Sequence, residues 1–287
     1  MLEAMQANLY ALGAIALWAT LAALGVSLKH IPPFLLTGIA LLVGSLLALP
    51  FVLKGKQPWK IPAATLGLGV YGLFGFHFLL FIALRHAPPV EANLVNYLWP
   101  LLMVVLAPLF LAGMQLRAMH VTAGLLGFAG AAIAILGARS GAAADVVSSG
   151  WAWGYLPALG SAFIWASYSL LSKRVPAFPT AAIGLFGLVS GLLSLLCHVA
   201  LEPQIALSGR DWLLLAVMGL GPLGAAFFMW DKALKLGDAR HIGILSYLTP
   251  LGSTALLMLV SNRELSWSIA LAALMIIGAA VLGTRAK

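Results

Sequence analysis

Ten stretches of this chain stay apolar for about twenty residues at a time, the length that carries an α-helix across the hydrocarbon core of a bilayer. They fall at residues 8–28, 33–53, 62–84, 89–111, 119–138, 152–172, 180–200, 212–234, 240–261 and 266–284. The runs are continuous rather than alternating, which selects helices over the strands of a membrane barrel. With 62% hydrophobic and 8% charged residues the chain lies far from soluble composition. The expected fold class is therefore all-α integral membrane, with ten transmembrane helices. Turn chemistry separates the runs at Pro32-Pro33, Gly55 to Pro58, Pro88-Pro89, Pro176 to Pro179 and Gly237-Asp238. Pro88-Pro89-Val90-Glu91 also reads as a helix start, with proline in the first turn and an acid at the positive dipole end.

Two of the runs carry a proline deep inside, in Asn96-Tyr97-Leu98-Trp99-Pro100 and in Ser246-Tyr247-Leu248-Thr249-Pro250, 150 residues apart. Proline removes one backbone N–H and frees the carbonyl four residues earlier, here that of Asn96 or Ser246. In lipid such a group is tolerated only against protein or a wet cavity. Matched breaks, each with a tyrosine and a polar residue, point to a binding site between two halves, with Pro100 and Pro250 as hinges. Purely architectural kinks are the competing reading.

The basic residues lie in the connections, where they read as topology signals and lipid contacts rather than a nucleic-acid surface, despite a net charge of +8. Lys54, Lys56, Lys60, Arg117, Lys173, Arg174, Lys232, Lys235, Arg240, Arg285 and Lys287 share one side, 11 residues, with both termini. Lys29, Arg85, Arg139, Arg210 and Arg263 give the other side 5. This asymmetry places both termini in the cytoplasm. Residues 1–8 hold Glu3 and no Lys or Arg, so the first run is expected to be a retained span, not a cleaved signal. Cys197, the single cysteine, excludes an intrachain disulfide and reads as a small mid-span hydrophobe.

The halves repeat. Trp18-Ala19-Thr20 returns as Trp165-Ala166-Ser167, Tyr-Leu-x-Pro returns at 247–250, and Gly130-Ala131-Ala132 before Leu136-Gly137-Ala138-Arg139 returns as Gly278-Ala279-Ala280 before Leu282-Gly283-Thr284-Arg285. Residues 1–138 and 151–287 are thus expected to be five-helix repeats joined by the linker 139–150. An odd number of spans per repeat inverts the second against the first, the architecture of many secondary transporters.

Faces follow from helical spacing. Asn93, Asn96, Trp99 and Met103 line one side of the fourth span, beside Tyr97, and Ser246, Thr249 and Ser253 line the ninth, beside Tyr247. Ser161, Trp165, Tyr168/Ser169 and Ser172 run down the sixth, with Trp18 on the first. The third offers Phe74, His77, Phe78 and Phe81, and the eighth Gly224, Phe227, Phe228 and Asp231. Rings with a few hydrogen-bonding groups make a small-molecule site, while small polar residues also pack helices and rings also form interfacial belts. Trp99 and Trp165 lie too deep for a belt, and Phe74 and Phe81 read as packing. His77, deep in its span, is either a functional ionisable group or a neutral ring satisfied by a carbonyl. Asp231 reads as an ion pair with Lys235 one turn on, and Glu91 as a helix-start charge.

Enzyme signatures fail. Gly67-Leu68-Gly69-Val70-Tyr71-Gly72 spells GxGxxG, but it sits inside an apolar span with no strand before it and reads as close helix packing. Neither a Walker A sequence, nor HExxH, nor a Cys/His cluster with metal spacing occurs, so no cofactor, metal or catalytic residue is expected.

The ten spans, the inverted repeats and the Trp-Ala-[Ser/Thr], Tyr-Leu-x-Pro and Gly-Ala-Ala…Leu-Gly-x-Arg matches resemble the drug/metabolite transporter superfamily. Within it the chain is most similar to EamA-type exporters of the YddG type, which export aromatic amino acids from bacteria. The short Gly-Glu-x-Leu-like ending of that family is seen as Glu264-Leu265 after the ninth span. After the fourth it becomes Gly113-Met114-Gln115-Leu116, with Gln where Glu is usual. The resemblance implies an inner-membrane location, export as the direction of transport, and aromatic or other apolar amino acids as substrates. Two other readings stand beside it: a multidrug or nucleotide-sugar-like carrier on the same fold, and a non-transporting membrane scaffold. A cation pump would want a carboxylate in the cavity and a nucleotide-sugar carrier several mid-span Lys or Arg, and the sequence offers neither. A scaffold would not need matched broken helices. The expected partners are a small-molecule substrate and the lipid bilayer.

Overall fold

The computed structural model describes residues 2–54, 61–137, 153–261 and 267–285, and every regular element among them is helical. α1 (Leu2–Ala19) and α2 (Leu21–Ser27) form a rod interrupted at Thr20, whose hydroxyl donates back to the Leu17 carbonyl at 2.7 Å. α3 (Pro33–Ser45) opens on a proline, whose missing N–H would have no helical partner in a first turn, and continues through a short 3₁₀ turn into α4 (Leu49–Leu53). α5 (Ala63–Val70) and α6 (Phe76–His86) are joined by a π-turn at Tyr71–Gly75. α7 (Pro89–Asn96) and α8 (Trp99–Phe110) follow, then the unbroken α9 (Ala118–Gly137), α10 (Tyr155–Leu171) and α11 (Ala182–Leu201). α12 (Gly209–Leu220) begins with a Ser208/Asp211 capping box and meets α13 (Ala226–Leu236) through a second π-turn at Gly221–Ala225. Asp238 caps α14 (Ala239–Leu245), which is followed by α15 (Leu248–Ser261) and α16 (Trp267–Arg285).

Eight of the rods are long and apolar enough to cross a membrane among the described residues. The other two helical stretches are α10, at 17 residues, and the interrupted α14–α15 pair. Both expected breaks are present, at Tyr97–Leu98 and at Ser246–Tyr247. One expectation about them is corrected: the Ser246 carbonyl is not left open, because the Thr249 N–H reaches it at 3.0 Å in a tightened turn. The two π-turns begin 150 residues apart, the separation of the prolines, and sequence reading missed both. Pro222 explains the second, since without an N–H it cannot continue the α-register. The linker 139–150 and Glu264-Leu265 lie outside the described residues.

Packing pairs α9 with α16, α3 with α11, α1 with α13 and α6 with α10, while α8 lies between α10 and α14. Close approach depends on missing side chains. A Cβ on Gly69 would stand 2.2 Å from the Phe186 ring, and one on Gly72 would stand 2.3 Å from the Tyr168 ring. Two glycines of the GxGxxG run are therefore helix contacts, as expected, whereas a Cβ on Gly67 would meet nothing within 4 Å. Leu109, Leu196 and Val199 are exposed in mid-helix, where lipid solvates them, and the exposed Trp153, Trp212 and Trp267 sit near helix starts, the pattern of an interfacial belt.

Candidate functional site

The helices bring four indoles together in the middle of the bundle: Trp18 from α1, Trp99 from α8, Trp165 from α10 and Trp230 from α13, each at most 8% exposed. Trp18 stands edge-on to Trp165 at 5.8 Å between ring centres, and Trp99 stands edge-on to Trp230 at 5.6 Å. Trp165 and Trp230 stack at 6.1 Å with 27° between planes, and Trp18 meets Trp230 at 5.2 Å. Phe227, Phe76 and Tyr168 close the cluster around Trp165 at 5.6, 5.4 and 5.3 Å. These offset and edge-on geometries are the ones ring quadrupoles favour. The rings fill the space that the sequence assigns to an open pocket. A void of about 10 Å³ lies to one side, against Leu41, Gly44, Leu73, Ile183 and Leu223, with room for about one water.

Polar handles hold the rings in place. Trp18 Nε1 donates to the Pro222 carbonyl at 3.1 Å, inside the second π-turn, and Trp230 Nε1 donates to Ser169 Oγ at 3.1 Å. Tyr71, which opens the first π-turn, shares a 2.8 Å hydrogen bond with Ser167. Each Trp-Ala-[Ser/Thr] motif therefore grips the π-turn of the opposite half. Ser161 Oγ donates to Asn96 Oδ1 at 2.8 Å, fastening the end of α7 to α10. His77 Nδ1 donates to the Leu73 carbonyl at 2.6 Å, the contact that its second reading expects, with the ring edge-on to Phe227 at 6.4 Å.

The twelve expected site residues divide. Trp18, His77, Trp99, Trp165 and Tyr168 belong to the central cluster, and Asn96 adjoins it through Ser161. Asn93 and Tyr97 are half-buried at the α7–α8 break, and the buried Ser246 and Thr249 flank the other break, Ser246 Oγ donating to the Ile242 carbonyl at 2.9 Å. Phe78 lies apart, in a second ring group with Phe34 and Phe74 at 5.7 and 5.6 Å. Tyr247 also departs: its ring packs on Gly127 and beside Phe128, toward α9 rather than the tryptophans. The two misplacements share a cause, since one residue of uncertainty in a broken helix turns a side chain by about 100°.

Trp230 is the residue that sequence reading overlooked. Its signal was present, since it lies three residues after Phe227, on the same helical face. Glu202 is the second omission, a buried carboxylate just past the last residue of α11. Asp231 is confirmed in its ion pair with Lys235 at 2.6 Å, and Glu91 accepts a hydrogen bond from the Tyr155 hydroxyl. Among the described residues no group of three His, Cys, Asp or Glu side chains could hold a metal. Such a centre offers ring faces to a cation or a flat apolar group, with hydroxyl and amide groups to orient it.

Comparison with known proteins identifies a family for the chain. The EamA-like transporter family matches the chain twice, over residues 5–136 and 152–285. The aromatic amino acid exporter YddG of Ancylobacter novellus is 42% identical, over 97% of this chain and 96% of its own. The protein of the same name from Escherichia coli is 29% identical over 96% of each chain. One crystal structure superposes with a TM-score of 0.87 at 40% identity, covering 97% of both chains. The chain belongs to the EamA-like transporter family.

Proposed function

We propose that this protein is a secondary transporter of a bacterial inner membrane, exporting aromatic and other apolar amino acids by alternating access through the tryptophan cluster. The observation that carries the reading is that cluster, four indoles from four helices at the meeting of the two halves, in a chain 42% identical to a named aromatic amino acid exporter. Ten spans in two inverted repeats are supported by the double family match and by the exchanged grip of each Trp-Ala-[Ser/Thr] motif on the other half's π-turn. The halves rock about the centre, with Pro100 and Pro250 as pivots. Both termini face the cytoplasm, so reporters fused after Lys60 and after Gly141 should read opposite compartments, and matching signals would end this topology.

A free amino acid brings an ammonium, a carboxylate and a side chain. The ammonium suits the indole faces and the free lone pair of His77 Nε2, left as an acceptor because Nδ1 donates to Leu73. The carboxylate suits the amide of Asn96, whose oxygen is already taken by Ser161, together with Asn93 and the N–H groups at the break. A substrate side chain must part rings that now touch each other. An aromatic one replaces the ring contacts it interrupts, and an aliphatic one does not, which is the physical basis of the proposed preference. Ring pairing adds about 0.5–1.5 kcal/mol, so Trp165→Leu should weaken phenylalanine transport by about 2- to 12-fold in liposomes and leucine transport by less. Equal loss for both substrates would reject an aromatic-selective pocket at Trp165, and loss of neither would place it outside the site.

A further inference from the structure

Two charged clusters stand away from the tryptophans, near the two ends of the rods, and they share one plan. At the first, the Glu202 side chain is sealed from solvent at 0% exposure. Its carboxylate accepts the Phe34 N–H at 3.0 and 3.1 Å and the Leu35 N–H at 3.2 Å, so it caps the first turn of α3. Arg85, in the last turn of α6, reaches it at 2.6 Å and lies 5.7 Å over the Phe34 ring. His198, one turn earlier on α11, meets the other oxygen at 3.0 Å.

At the second cluster Lys235, in the last turn of α13, reaches Asp231 at 2.6 Å and lies 4.0 Å over the Phe178 ring. It also donates to the Phe178 carbonyl at 2.9 Å, while the Thr180 hydroxyl donates to Asp231 at 2.6 Å. Lys173 adds donations to the Leu234 and Gly237 carbonyls at the end of the same rod. Arg85 and Lys235 are 150 residues apart, the offset of the π-turns and the prolines. Each cation ends a π-turned rod, α5–α6 or α12–α13, and ties it to a phenylalanine at or just before the start of α3 or α11. Those two helices pack on each other.

We propose that these clusters are the latches of two gates: Arg85 with Glu202 and Phe34 holds the outer gate shut, and Lys235 with Asp231 and Phe178 holds the inner one. The inference rests on reading the central cluster as a transport site. Each carboxylate is buried, at 0% or 3% exposure, while its cation is 40% or 33% exposed, so opening the pair sends the cation to water and leaves the buried carboxylate short of one partner. That makes each latch bistable: closed when dry, open when water reaches the carboxylate. The Arg85 side chain is already 40% exposed, so it can leave for water while Glu202 stays with the N–H groups of α3.

The test is accessibility rather than transport. In a Cys197→Ala background, Ser169→Cys places a thiol beside Trp230, and a membrane-impermeant maleimide is applied to right-side-out or inverted membrane vesicles. Arg85→Met should raise labelling from the outside by about tenfold, the equivalent of 1.4 kcal/mol in the gate equilibrium, and Lys235→Met should do so from the inside. Arg85→Lys should return most of the way to the parent. Phe34→Leu, which keeps the ion pair and removes the ring under Arg85, should give a smaller outward rise of about 2- to 5-fold and serves if Arg85→Met does not fold. Unchanged labelling in the folded variants, or a rise on the wrong side, would overturn the latches. Labelling needs no transported substrate. Failure of amino-acid transport with the predicted labelling would therefore reject the substrate reading alone, and normal transport with flat labelling would reject the latches alone.

Discussion

Gly72→Ala should remove most of the folded protein, while Gly67→Ala should leave it intact or slightly more stable. The added Cβ at residue 72 would stand 2.3 and 2.4 Å from carbons of the Tyr168 ring, far inside the contact distance of about 3.5–4.0 Å. That ring cannot readily swing clear, because it packs on Trp165 at 5.3 Å, and Gly72 itself lies buried in the π-turn. The expected cost lies at or above the usual overpacking range of about 1–3 kcal/mol. At Gly67 nothing lies within 4 Å of the new atom, and alanine is the better helix former by about 1 kcal/mol. Monodisperse yield and thermal unfolding in detergent separate the two. Tyr168→Ala in the Gly72→Ala background should recover folded protein; failure to recover it would mean that the clash lies elsewhere.

The second large effect is expected at Trp230. Its side chain is 1% exposed and touches Trp18, Trp99 and Trp165, so Trp230→Ala should cost about 3 kcal/mol. That is the low end of the range for soluble cores, because lipid tails are as apolar as the bundle and only lost packing and the residual cavity contribute. Trp230→Phe keeps a ring but loses the hydrogen bond to Ser169, a loss of about 1 kcal/mol. Stability should therefore rank wild type, Phe, Ala in detergent melts, and the transport rate should follow the same order. A Trp230→Ala protein as stable and active as the parent would make the cluster dispensable.

Fold class and helix positions were legible because a membrane leaves few alternatives: a continuous apolar run of twenty residues is a helix or nothing. The breaks at Tyr97–Leu98 and Ser246–Tyr247 could be read for the same reason, since each proline marks its own defect. The π-turns could not. Tyr71–Gly75 contains no proline, and the extra residue is fixed by what Tyr71 and Tyr168 meet across the helix interface rather than by local preference. The same limit explains the site. Trp18, Trp99 and Trp165 announce themselves by depth, but Tyr247 and Phe78 needed a rotation angle that a broken helix conceals. Glu202 escaped because, His198 apart, its partners Phe34, Leu35 and Arg85 come from helices more than a hundred residues away.

A π-turn stores one surplus residue, and a helix can give it back. An α-helix advances about 1.5 Å and turns about 100° per residue, so absorbing the surplus at Gly221–Ala225 would screw the whole of α13 through that step. Phe227 and Trp230 would swing off the central stack while Asp231 and Lys235 travelled with them, a single twist that empties the middle of the bundle and unfastens one end together. The surplus at Tyr71–Gly75 would do the same for α6 and Arg85. Two such threaded rods, each carrying its own bolt, are what the proposed alternation of the two ends would require.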